Sequence, residues 1–110
     1  MHNPPEGIYT LHRVQLAPHF ATTTRRRVLL ERLLHLYTLA EATGFLERFV
    51  VFGSFVTTKP EPGDLDIILV MRMGFQSSQA PQESQLLFDH ERADTEFGAS
   101  VFWVRIEVLP

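Results

Sequence analysis

The tightest constraint on this chain is the order of two short elements. The apolar run Phe49 to Phe52 ends at Gly53-Ser54, and after a loop Asp64-Leu65-Asp66 opens a second apolar run, Ile67 to Met71. Both runs have the length and β-branched content of buried strands. Two aspartates at the mouth of a buried strand need a reason. Side chains two residues apart on a strand leave the same face, with Cα atoms roughly 6.6 Å apart at about 3.3 Å per residue, so both carboxylates can converge on one point. A hard divalent cation, Mg²⁺ or Mn²⁺, suits that point. Mg²⁺ is usually held by one or two carboxylates together with substrate phosphates, so Asp64 and Asp66 suffice for a shared metal site. As turn and edge-strand residues, the same two aspartates would need no ligand.

The first element supplies what the phosphates need. Gly53 has no Cβ, so a phosphate oxygen can approach main-chain N–H groups there, with the Ser54 hydroxyl as an added donor and Lys59 as a nearby positive charge. The segment Lys59-Pro60-Glu61-Pro62-Gly63 reads as a bend stiffened by two prolines.

In this order and spacing, Gly53-Ser54 and Asp64-x-Asp66 resemble the nucleotidyltransferase domain of the DNA polymerase beta superfamily. Pro4-Pro5-x-Gly7-Ile8, Arg25-Arg26-Arg27 opening a leucine-rich helix, and Gly53-Ser54-Phe55-Val56-Thr57 with Lys59-Pro60 look more narrowly like a small prokaryotic family of stand-alone nucleotidyltransferase-like proteins. The resemblance covers nearly the whole chain. It implies an α+β fold, an α/β sandwich in which a small mixed sheet packs with about two helices, as one minimal domain over residues 1–110. It also implies binding of a nucleoside triphosphate with Mg²⁺ and transfer of a nucleoside monophosphate to a hydroxyl of a protein, RNA or small molecule. Gly53, Ser54 and Lys59 would hold phosphates, and Asp64 and Asp66 the catalytic metals.

One position departs from the family pattern. Enzymes of this superfamily carry a third carboxylate on a later strand, here Ala99 to Val108, and the aligned residue is Ser100. Serine is neutral and cannot supply the charge that two-metal chemistry uses. Glu107 is roughly 23 Å further along an extended strand, whereas Asp94 and Glu96 lie just before it. The alternative to an active transferase is therefore a catalytically impaired homologue that serves as an interaction, toxin–antitoxin or defence component.

Composition adds boundaries. With 110 residues, 45% of them hydrophobic, the chain can bury one core covering roughly two-thirds of its unfolded surface. A bare domain of this kind would borrow its acceptor-binding surface from a second copy or a partner protein. The absence of cysteine excludes disulfides and thiol nucleophiles. With no signal-peptide pattern and no membrane-length apolar run, the expectation is a cytoplasmic protein without membrane contact. A net charge of -3 offers no general attraction to nucleic acid, so such binding would need a local patch.

The candidate patch is Arg25-Arg26-Arg27, preceded by the N-cap candidates Thr22 to Thr24. It opens a helix over Val28 to Ala40 with Leu29, Leu33, Leu36 and Ala40 on one stripe, ended by Gly44. The simplest reading of the arginines is a solvated charged face, with phosphate or RNA contact as the alternative. Arg72 to Ser84 reads as a polar, mobile loop, and Ser84 to Arg92 as a short helix. His2, His12, His19, His35 and His90 show no metal-ligand spacing. Trp103 and Arg105 share one face of the last strand. Trp103 could pack under a helix, but its face and the strand edge are also where a second subunit is expected.

Overall fold

The computed structural model describes residues 8–11, 23–56 and 63–107. The elements run β1 (Ile8–Leu11), α1 (Thr24–Glu41), β2 (Leu46–Phe52), a 3-10 turn at Gly53–Val56, β3 (Leu65–Met71), α2 (Gln82–Gln85), α3 (His90–Phe97) and β4 (Ala99–Arg105). They form a small α+β domain. Its mixed sheet has the order β1-β2-β3-β4, antiparallel between the first three strands and parallel between β3 and β4. The strand Ile8–Leu11 was not foreseen, and it extends the expected three-stranded sheet to four.

Helix α1 forms where its leucine stripe predicts. Thr23 caps it, its hydroxyl accepting from the Arg26 backbone N–H at 3.1 Å, which satisfies one of the orphan donors of the first turn. Leu29, Leu33, Leu36 and Ala40 are fully buried, and each leucine contributes about 1.5–3 kcal/mol by leaving water. The helix stops at Glu41, followed by a turn through Gly44.

Strand β3 alternates strictly. Leu65, Ile67, Leu69 and Met71 are buried, while Asp66, Ile68 and Val70 are half-buried. The register aligns Phe49 and Val51 of β2 with Leu69 and Ile67, and Ala99 and Val101 of β4 with Leu65 and Ile67. All of these join one core with α1, Ala93 of α3, Phe75 and Leu87. The helices therefore cover one face of the sheet. On the opposite face Val50, Phe52, Ile68 and Val70 are half-buried, and Phe102 and Val104 are 49% and 54% exposed.

Parallel pairing of β3 and β4 requires a crossover, and residues 72–98 provide it. The stretch Arg72 to Ser84, read from sequence as a mobile loop, is a packed connection. Phe75 is buried, Ser77–Gln79 form a 3-10 turn, and the buried Ser84 hydroxyl donates to the Leu39 carbonyl at 2.7 Å. The single helix expected over Ser84 to Arg92 divides at Asp89, whose carboxylate caps α3 by accepting from the Arg92 backbone N–H at 3.2 Å. Asp94 and Glu96 consequently ride on α3, both exposed.

Trp103 packs against the crossover. Its ring packs edge-on against Phe75 and Phe88, at 5.4 Å from each, while Arg105 lies over it at 5.8 Å and donates to the Phe75 carbonyl at 2.8 Å. The Trp103 ring is thus packed by the chain's own crossover, as the helix-packing alternative expected, and is half-buried. Among the described residues, no helix is long and apolar enough to cross a membrane.

Candidate functional site

Strand β2 ends at Phe52, which faces Asp66 across the antiparallel pair. The chain then turns at Gly53 with φ +79, a left-handed conformation that costs a side-chain-bearing residue about 1–2 kcal/mol. Glycine is needed for a second reason. A Cβ built there would lie 3.2 Å from the Asp66 Cγ and closer still to Oδ2. The Asp66 carboxylate therefore sits directly against the Gly53 backbone, and the two motifs separated in sequence meet as one cradle. Ser54 continues the 3-10 turn. Lys59 lies outside the described residues.

Asp66 is the second residue of β3 and Asp64 precedes the strand by one residue, in an exposed bend. Asp66 titrates above the usual carboxylate range, first because burial penalises its charge and second because Asp64 repels it. Asp64 thus stands close enough to oppose the ionisation of Asp66, and a cation beside Asp66 would offset both the burial and the repulsion. Asp64 and Asp66 are the two carboxylates here that could hold a divalent ion, and Mg²⁺ held this way takes its remaining ligands from water or phosphate oxygens.

Across the parallel pair, Ser100 is the register partner of Asp66 and is half-buried. The residue that the resemblance puts at the third-carboxylate position thus stands beside Asp66, and it is neutral. Glu107 lies beyond the end of β4 at Arg105. Among the described residues, no group of three or more His, Asp or Glu side chains could hold a metal ion.

The site also receives residues that the sequence placed elsewhere. Arg26, read as part of a solvated face, is 1% exposed. Its Nη1 donates to the Phe55 carbonyl at 2.6 Å, and its guanidinium lies over the Phe55 ring at 5.5 Å. Burial pushes this guanidinium below its ordinary value. The bond ties the first turn of α1 to the turn that begins at Gly53. Arg25 reaches the other motif, its Nη2 donating to the Gly63 carbonyl at 3.2 Å and standing 3.7 Å from Asp64 Oδ1. One signal could have flagged both. Cations in a first helical turn oppose the helix dipole by about 0.3–1 kcal/mol each, and this turn contains no acid to offset them.

The remaining candidates lie apart from this chemistry. His35 pairs with Glu83 at 3.2 Å, and His90 stacks on Phe102 with its Nδ1 3.2 Å from the Val101 carbonyl. His2, His12 and His19 lie outside the described residues. A shallow hollow of about 510 Å³ is lined by Gln82, Glu83, Gln85, Leu86 and Arg92, and it lacks the paired carboxylates that make the Gly53 cradle a candidate.

Neither the curated proteins nor the solved structures contain a match to this chain. A family model does match, over residues 1–110: the chain belongs to DUF6932, described as a family of unknown function.

Proposed function

We propose that the chain is a minimal nucleotidyltransferase-like domain that binds a nucleoside triphosphate with Mg²⁺. The observation that carries this is the contact between Asp66 and Gly53, which joins a paired-carboxylate motif to a glycine turn suited to phosphate. The backbone at Gly53 and Ser54 receives the terminal phosphates, with Lys59 as a further cation. Asp64 and Asp66 hold the metal, which when bound supplies charge stabilisation for phosphoryl chemistry. In transfer, an acceptor hydroxyl oxygen bonds to the α-phosphorus as the α–β phosphoanhydride bond breaks. Pyrophosphate leaves and the hydroxyl proton passes to solvent.

Ser100 beside Asp66 favours a second reading, in which nucleotide binding persists without efficient transfer and the domain serves as an interaction, toxin–antitoxin or defence component. Thermal unfolding with each of the ribonucleoside triphosphates, with and without Mg²⁺, tests the shared premise. Ligand at a hundred times its dissociation constant adds about 2.7 kcal/mol, a rise of roughly 10 °C at about 4 °C per kcal/mol. The rise should need Mg²⁺ and vanish in Asp64→Ala/Asp66→Ala. A folded wild type that responds to none of them refutes the proposal, and pyrophosphate release then separates the transferase from the binding-only form.

A further inference from the structure

We infer that Arg25 is a phosphate-binding residue of this site, taking the negative charge of a metal-bound triphosphate beside Asp64; the inference rests on the nucleotide reading above. The structure sorts the three consecutive arginines of α1 into three environments. Arg27 is exposed and stays on its own helix, its Nη2 donating to the Thr24 hydroxyl at 3.4 Å. Arg26 is buried and clamps the Phe55 carbonyl. Arg25 reaches the segment that opens β3, through the Gly63 carbonyl and the Asp64 carboxylate.

Its aim is set by the fold. The charge-assisted bond from Arg26 to Phe55 is short and buried, so the start of α1 is registered to the Gly53–Val56 turn. That turn is in turn registered to β3 by the packing of Asp66 against Gly53. Arg25, immediately before Arg26, is held at the edge of the cradle.

The ion pair itself adds little to stability. The Arg25 and Asp64 side chains are 35% and 63% exposed and stand 3.7 Å apart, and exposed pairs of this kind contribute little. The position is nonetheless suited to an anion. Two carboxylates and a triphosphate form a strongly negative set that one divalent ion only partly neutralises. A guanidinium presents a planar fork of N–H donors that matches phosphate oxygens. With Asp64 engaged by a metal, the guanidinium would be placed to turn from the carboxylate to the phosphates, so that one side chain would serve both states.

Binding of the full chain to ATP, GTP, CTP and UTP with Mg²⁺, and to the corresponding nucleosides, tests this by calorimetry on wild type, Arg25→Ala, Arg25→Lys and Arg27→Ala. For the triphosphate that wild type binds, Arg25→Ala should weaken binding about tenfold or more, the scale of a lost hydrogen bond to a charged group. Nucleoside affinity should be unchanged, Arg25→Lys should recover part of the loss, and Arg27→Ala should bind as wild type. Wild-type triphosphate affinity in Arg25→Ala overturns the inference and leaves the nucleotide reading standing. Equal losses in Arg25→Ala and Arg27→Ala also overturn it, because they indicate only general charge. A wild type that binds no triphosphate removes both.

Discussion

Replacing Gly53 with alanine tests the geometry at the centre of the cradle without assuming any function. Two costs are separable. The backbone at φ +79 charges an L-residue about 1–2 kcal/mol. The new methyl would also stand 3.2 Å from the Asp66 Cγ and inside contact distance of Oδ2, an overpacking that costs about 1–3 kcal/mol. The low end applies, because a carboxylate is the movable end of a side chain. Together Gly53→Ala should cost about 2–3 kcal/mol, a fall in Tm of roughly 8–12 °C at about 4 °C per kcal/mol. In an Asp66→Ala background the carboxylate is gone. The remaining Cβ lies 3.5 Å from the built position, an ordinary contact, so only the backbone part should persist. Urea unfolding followed by circular dichroism, run as a double-mutant cycle, should therefore show a coupling of about 1 kcal/mol. If Gly53→Ala costs the same in both backgrounds, to within about 0.3 kcal/mol, Asp66 does not lie against Gly53 and the two motifs do not share a site.

Three further outcomes follow from the same structure. Because Asp66 has a raised pKa from burial and from Asp64, the folded protein binds its proton more tightly than the unfolded chain does. This group's contribution therefore falls as pH rises from its ordinary value to its raised one. Asp66→Asn should accordingly be at least as stable as wild type at pH 7 without metal, with the advantage shrinking on acidification; a variant markedly less stable at pH 7 contradicts the assigned environment. Ser100→Asp places a third carboxylate beside Asp66 in the β3–β4 register. It should lower the Tm without metal and strengthen the response to Mg²⁺, whereas an unchanged Mg²⁺ titration argues against a metal at Asp66. Trp103→Ala should cost about 3–5 kcal/mol and Phe102→Ser about 1 kcal/mol or less, although the two are chain neighbours. Comparable losses in chemical denaturation would mean that the covered and open faces of β4 have been exchanged.

Much of the fold was legible because its causes are local. The stripe Leu29, Leu33, Leu36 and Ala40 has the period of a helix packed on one side, and all four are buried. The two apolar runs after Arg48 and after Asp64 are strands. What was misread depended on distant partners. The polar composition of Arg72 to Ser84 concealed a crossover whose order comes from Phe75 and from a Ser84 bond to Leu39, 45 residues away. Alternation placed Trp103 and Arg105 on one face of β4 but could not name Phe75 and Phe88 as the rings that pack against Trp103.

By itself, the sequence determined which residues could turn, pair or carry charge. Gly53 can adopt a positive φ, Thr23 can cap, and the side chains of β3 must alternate, because these properties depend on a residue and its near neighbours. Only the tertiary structure decided how that chemistry was distributed. It buried Arg26 under a carbonyl 29 residues away, sent Arg25 to a loop 38 residues away, and set Ser100 beside Asp66 through strand register. Three identical arginines in a row have the same local preferences, and their different fates follow from where the helix start meets the glycine turn and the head of β3.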